Sequence, residues 1–337
     1  MTYNFNSELN PIVETLGLII SAPRFEDTKH AMIKGFNELG VDGENLYNNE
    51  MKLYQRYVSV FINYCSIDDE YDFYFNSDDS NFLTILITLI ISNIGDIFHV
   101  DNYDDNTINK EVIGICNELF GHSENAESIF SIEQIVNYLE KIPLTESERW
   151  KILLFMRSPK THLKKIASVI EDNFPAYEKA KKAVEIPLKK ALVQFKKNIC
   201  DDEGVSKLYE ILPEKAEISP TLAMPVTIYL FENTCYCGVF YYLINKKNTP
   251  TDNVVQLLKA LGDKSRFDIL SILTSGSKYN LEIAEQMGLT TATMSHHMSI
   301  LLSCGLVNVT KKNGRVHYNI NKKTVENFIK AIELRFL

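Results

Sequence analysis

The sequence predicts a mainly α-helical protein: a long helical body with a small β element near its end, and a compact C-terminal unit of short helices closed by a β-hairpin. Three observations carry this. Over most of the 337 residues, apolar side chains recur at intervals of three and four, the period of a helix with one buried face. Around Val226–Phe231 and Cys235–Leu243 the composition turns β-branched and aromatic, which suits strands. Near the end, Asn313-Gly314 separates the alternating residues Val307 and Val309 from Val316, Tyr318 and Ile320. Asn-Gly is a strong hairpin signal because a type I′ turn needs positive φ at both central residues.

A chain of this length suggests two or three domains. The polar, Pro-containing stretch Asn245–Asp252 is the predicted linker, giving a body over 1–245, with a subdivision near 143–210, and a C-terminal domain over 251–337. Charge supports the division. The whole chain carries a net −9, but residues 251–337 hold 11 Lys and Arg against 7 Asp and Glu, a net +4. The remainder holds 24 against 37, a net −13. A basic end on an acidic body points to a polyanion-binding module joined to something else. Hydrophobic residues make up 45%, enough for sizeable cores.

In chain order, Tyr3-Asn-Phe5-Asn alternates apolar and polar residues, and Ile12–Ile20 reads as an apolar, helix-like run. Asp27 is a candidate cap for a helix to Leu39, and Glu44–Ile62 is amphipathic throughout. Phe82–Phe98 carries too many polar residues to span a membrane and reads as a buried helix. Acidic, turn-rich stretches set off Ile108–Phe120, Ile132–Leu139 looks helical, and Thr145-Glu-Ser-Glu148 resembles a capping box opening a helix through Trp150, Leu153 and Leu154. Leu163, Ile166 and Ile170 stay in phase to Phe174. Pro175 then suits the first turn of a further, lysine-studded helix, which Pro187 must kink or interrupt.

The C-terminal domain begins with two short helices, marked by Phe267, Leu270 and Leu273, then by Leu281, Ala284 and Met287. Gly288 supplies the turn and Thr290 a cap for a third helix. At 100° per residue, Met294, Met298 and Leu301 of that helix form a core stripe, and Ala292, Ser295, His296 and Ser299 point the opposite way, flanked by Thr291 and Thr293. A face wetted only by solvent usually carries Glu and Lys. This one is small, polar and uncharged, which suits close approach to base edges. His297 lies beside the stripe and reads as packed or phosphate-facing. Lys311, Lys312 and Arg315 crowd the hairpin tip, where a polyanion would neutralise their repulsion. Val325, Phe328, Ile329 and Ile332 predict a last helix, packed on its own domain or on a partner subunit.

The segments Lys259–Leu270, Leu281–Glu285, Thr293–Leu301 and Gly305-Leu-Val307 resemble, in order and spacing, the winged helix-turn-helix domain of ArsR-type bacterial repressors. The resemblance covers the last quarter of the chain. It implies a DNA-binding transcriptional regulator acting as a homodimer on an inverted repeat. The DNA-contacting set would be Thr291, Thr293, Ser295, His296, His297, Ser299, Lys311, Lys312 and Arg315. Metal-sensing members often carry Cys-x-Cys in the helix before the recognition helix, where this chain has Leu281-Glu-Ile-Ala-Glu285, or ligands on the last helix, where Glu326 and Glu333 lack any His. No metal or other cofactor is therefore expected.

The body offers less. Cys235 and Cys237 share one face of a strand and could form half of a soft-metal site, but buried thiols are common as small hydrophobes. The six cysteines show no disulfide framework, and no phosphate-binding glycine loop or Gly-x-Ser-x-Gly elbow occurs. No signal peptide or membrane span is read, so a cytoplasmic location is expected. The body is expected to dimerise, respond to a small-molecule effector, or both. The competing readings are a winged interaction module without DNA binding and an enzyme targeted by a winged domain.

Overall fold

The computed structural model describes residues 4–38, 41–67, 71–75, 79–94, 96–120, 131–200, 217–230, 234–243, 250–289, 291–312 and 315–337. It is mainly helical and divides into two compact units, Met1–Asn63 with Tyr177–Leu337, and Tyr64–Ala176.

The first unit begins with strand β1 (Asn4–Phe5) and helix α1 (Pro11–Ser21). Asn10 caps α1, its side chain accepting from the amides of Ile12 and Val13, and Pro11 sits where no amide donor is needed. A short 3₁₀ turn leads into α2 (Phe25–Glu38). Asp27 therefore lies inside the first turn of α2 and not at its cap; with Glu26 it favours the positive end of the helix dipole. The helix predicted over Glu44–Ile62 is broken at Met51 into a capped, wider-turned segment (Gly43–Glu50) and α3 (Lys52–Ile62). Tyr54, Tyr57, Val58 and Phe61 of α3 are buried at the expected spacing.

The second unit contains α4 (Tyr71–Phe75), α5 (Ser80–Thr88), α6 (Asp105–Phe120), α7 (Ile132–Glu140) and α8 (Glu146–Arg157). The apolar run Phe82–Phe98 is not one helix: α5 widens over Leu89–Asn93 and gives way to a 3₁₀ turn, Ile97–Asn102. Its residues Phe82, Ile85, Leu86 and Leu89 are nevertheless buried. The capping box of Thr145 and Glu148 forms as predicted, and buried Glu148 also accepts from the backbone and side chain of Asn81, fixing the start of α5 to the start of α8. Trp150 faces solvent; Ile152, Phe155 and Met156 carry the buried face.

Helix α9 (Pro159–Ala183) runs through Pro175, which does not open a new helix. Losing one amide donor is tolerated because buried residues stay in phase on both sides, with Ile166 and Ile170 before it and Tyr177 and Ala180 after. The interruption falls at Val184, and Pro187 lies in the first turn of α10 (Glu185–Cys200).

The β element is a four-stranded sheet, with β2 (Glu217–Thr221), β3 (Ile228–Leu230) and β4 (Thr234–Gly238) in the order β1-β2-β4-β3. β1 and β4 each run parallel to β2, and β3 runs antiparallel to β4. Cys235 and Cys237 are buried against Phe195 and Ile199 of α10, and burial pushes the Cys235 thiol up to about 12. They act as small apolar residues in this core. Gly238 lies where a side chain would overlap the backbone of Pro225.

The remaining elements are α11 (Pro250–Leu261), α12 (Lys264–Leu273), β5 (Lys278–Tyr279), α13 (Asn280–Met287), α14 (Thr291–Ser303), β6 (Val307–Lys312), β7 (Arg315–Ile320) and α15 (Lys322–Phe336). Strands pair antiparallel in the order β5-β7-β6. Ile269, Ile283, Met294, Met298, Leu301 and Leu306 meet in one core, each burying a side chain worth roughly 1.5–3 kcal/mol. Phe267, expected on that core, is 57% exposed. Ile269 takes its place, because the buried face of α12 is centred on Arg266, Ile269, Leu270 and Leu273.

Candidate nucleic-acid interface

The interface is built on α13, α14 and the β6–β7 hairpin. Gly288 ends α13 with φ of 65°, a left-handed conformation that costs little only for glycine, and its amide donates back to Ala284. That cap turns the chain into α14. Thr290, the expected cap of α14, lies outside the described residues, as do Asn313 and Gly314.

Along α14 the predicted stripe is buried as expected: Met294, Met298 and Leu301 are all within 1% of full burial. Ile300 is buried as well, which makes the core face wider than the stripe. Thr293 and Ser299 are exposed. Thr291, Ser295 and His296 occupy helical positions on the same element, and their side chains lie outside the described set. His297 is packed. Its side chain is 12% exposed, and Nδ1 lies 3.8 Å from a carboxylate oxygen of Asp263.

Asp263 caps α12 by accepting from the Arg266 amide at 3.0 Å. Burial pushes its carboxyl up, but the Arg266 amide, the Arg266 guanidinium and His297 together outweigh this and hold it below the ordinary carboxylate value. Arg266 is itself buried. It donates to the carbonyls of Ala260 and Lys259, and its guanidinium stands 3.8 Å from Glu38 of α2. Glu38, Arg266, Asp263 and His297 thus form a chain of charged and polar groups from the body to α14. Sequence reasoning missed it. The available signal was the Asp263-to-Arg266 spacing, that of an N-cap and its third helical residue.

The hairpin is in register. Thr310 faces His317, Lys311 faces Val316, and Lys312 faces Arg315 across the strands. This backbone register brings Lys311, Lys312 and Arg315 together at the tip, where a polyanion would neutralise them; their side chains lie outside the described set. Asn319 Nδ2 donates to Thr310 Oγ1 at 3.0 Å, and the Tyr279 ring meets His317 edge-on. The first contact ties β7 to β6 and the second joins the hairpin to β5. Burial pushes Tyr318 up to about 12 and keeps it a neutral core residue of the wing.

Residues 263–309 match the bacterial regulatory protein arsR family. The chain is 33% identical over 79 residues to the arsenical resistance operon repressor of Staphylococcus aureus, covering 23% of this chain and 75% of that protein. The chain belongs to the arsR family. It is also 30% identical over 83 residues to an uncharacterized HTH-type transcriptional regulator of Methanocaldococcus jannaschii, covering 24% of this chain and 93% of the relative. With the HTH-type transcriptional regulator CmtR of Mycobacterium tuberculosis it shares 38% over 65 residues, 19% of this chain and 55% of that protein. The family match lies on the helices and strand described above, from the Asp263 cap to Val309 of the wing, and leaves the body outside it. Among the described residues of this arsR-family chain, no group of three or more His, Cys, Asp or Glu is placed to hold a metal ion. No described helix is long and apolar enough to cross a membrane.

Proposed function

We propose that this chain is a cytoplasmic transcriptional repressor that binds operator DNA as a homodimer. Helix α14 enters the major groove and the β6–β7 wing rests on flanking phosphates. The observation that carries the reading is the pairing of an α14 surface exposing Thr293 and Ser299 with a wing whose tip sets Lys312 opposite Arg315. Short uncharged groups reach base edges, and clustered cations supply salt-dependent affinity. Relatives named as repressors support the sign of regulation.

The dimer is supported by apolar side chains left in water on three helices of the winged region: Val255 and Leu258 on α11, Phe267 on α12, and Ile329, Leu334 and Phe336 on α15. A second copy covering these side chains would have to hold the two α14 helices about 34 Å apart, one turn of duplex, for both to enter successive major grooves. In this reading the body adds effector response and no catalysis.

The test is fluorescence anisotropy of the purified chain on its own upstream promoter DNA across a salt series. Wild type should bind with a steep negative slope of log affinity against log salt. Substituting Lys311, Lys312 and Arg315 together by Ala should reduce the slope by about 3, near one unit for each phosphate no longer neutralised. His296→Ala should lose discrimination against random DNA. A Phe267→Glu/Leu334→Glu variant should sediment as a monomer and bind weakly. Equal, weak binding by all variants would overturn the reading.

A further inference from the structure

The body carries a concave site that DNA binding does not use. Helix α10 is rich in lysine, with Lys189, Lys190, Lys196 and Lys197 against a single acid, Glu185. One face of it, with the chain leading from β1 to α1 and Pro220 of β2, encloses a cavity of about 570 Å³. That is within the size range of small-molecule sites.

Its floor is apolar. The ring of Phe5, Leu192 and the edge of buried Phe195 line it, and Val193 is left 77% exposed at its mouth. An exposed β-branched residue beside an aromatic ring is apolar surface that a ligand would remove from water.

The rim is cationic. Lys189, Lys196 and Lys197 border the cavity, and among the described residues no carboxylate lines it. The Lys196 ammonium stands 5.2 Å from the Phe5 ring centroid, so a positive charge is held directly at the apolar floor.

A second cavity of about 580 Å³ continues along the same helix and shares Ser7, Lys189 and Leu192 with the first. Buried Leu9 and Leu188 line this extension, whose rim mixes lysines with Glu8, Glu178 and Glu185. There Lys189 is paired with Glu185 at 2.7 Å. Among the described residues no acid is paired with Lys196 or Lys197 at the first cavity, and apolar floor runs through both.

We propose that this groove binds a small amphipathic anion, a single apolar chain ending in an oxyanion head. The head sits between Lys196 and Lys197 and the chain lies along Phe5 and Leu192 toward Leu188. Lysine acts as a point charge and accepts carboxylate or phosphate alike, so the shared chemistry is the oxyanion on an apolar tail. A duplex needs a protruding or extended contact surface, which this concave, apolar-floored slot is not.

The proposal does not rest on the winged unit reading DNA and is tested without it. The full chain is titrated with the anionic fluorophore 1-anilinonaphthalene-8-sulfonate, and the bound probe is then displaced with decanoate, decyl phosphate or decanol. The expected result is saturable probe binding, displaced by at least one of the anions at a concentration about tenfold or more below that of decanol. Preference between decanoate and decyl phosphate identifies the head group. Lys196→Glu/Lys197→Glu should weaken anion displacement about tenfold or more and leave decanol unchanged. Val193→Asp should weaken both. All three positions are exposed, so the variants should keep wild-type circular dichroism and melting. Non-saturable probe binding, decanol as potent as both anions, variants that bind like wild type, or duplex DNA displacing the probe would each overturn the proposal.

Discussion

Asp263 stands with a carboxylate oxygen 3.8 Å from Nδ1 of His297 while capping α12 through the Arg266 amide. One carboxylate thereby fixes the start of α12 and touches the packed side of α14. Replacing it by Ala should remove the cap and cost about 1 kcal/mol. Asn caps nearly as well as Asp, so Asp263→Asn isolates the charge. The carboxyl is held below its usual 3.8, so its charge adds stability that is complete above that value and lost as pH falls toward the folded value. The wild type should exceed Asp263→Asn in urea midpoint at about pH 5, and the margin should shrink below about 4. A margin that ignores pH would remove the charge from the account.

Glu14 is the corresponding group in the body. It is fully buried on α1, and Oε1 accepts from Thr221 Oγ1 at 2.7 Å and the Leu222 amide at 2.9 Å. Oε2 accepts from the Tyr57 hydroxyl at 2.9 Å and the Ala223 amide at 3.0 Å. Burial raises its carboxyl above the usual 4.5 in spite of these four donors. Between 4.5 and the folded value the native chain binds more protons than the unfolded one, so stability falls as pH rises through that window and is level above it. Glu14→Gln lacks this limb, and the stability gap between wild type and variant should narrow as pH rises through the window. At neutral pH Gln should still be less stable by about 1–3 kcal/mol, since either amide orientation sets its NH₂ against a backbone N–H. Thermal melts of both proteins from pH 4 upward decide it; a gap independent of pH would sink the argument.

These two carboxylates show where the sequence was legible. The stripe of Met294, Met298 and Leu301, the Thr145 capping box and the alternation of the wing strands are local, because helix and strand periods place neighbours within one element. The pairing of Asn4 with Glu217, and of Glu14 with Thr221, joins residues more than 200 positions apart, and no period records such contacts. Phe267 misled for a related reason. It keeps helical spacing with Leu270, yet the face α12 buries is decided by Ile269 and the Arg266 contacts around it. Of the interface itself, the element and its exposed residues Thr293 and Ser299 could be read. The Asp263 contact behind His297 could not, because it crosses between helices.

Gly238 gives a purely steric prediction. A Cβ there would overlap the carbonyl oxygen of Pro225, which is backbone and cannot rotate away. The close approach is used: Gly238 donates to the Thr227 carbonyl at 2.8 Å, and Phe240 donates to Pro225 at 2.8 Å. Gly238→Ala should force the turn between β2 and β3 away from β4 and cost about 1–3 kcal/mol, read as a lower denaturant midpoint. An unchanged midpoint would mean that the turn moves freely.

Adjacent positions on α14 separate fold from recognition. Met298 is 1% exposed in the core, and Ser299, its neighbour, faces solvent. Met298→Ala should leave a cavity and lower stability by about 2–5 kcal/mol, losing DNA binding only as the winged region unfolds. Ser299→Ala should stay within about 0.5 kcal/mol of wild type, since it removes nothing packed. If α14 reads bases, Ser299→Ala should weaken operator binding by about 1–3 kcal/mol with no change in salt slope, because a base contact displaces no condensed counterion. A change in slope without loss of discrimination would move Ser299 to the phosphate backbone. Wild-type affinity and slope together would take this face of the helix out of the interface.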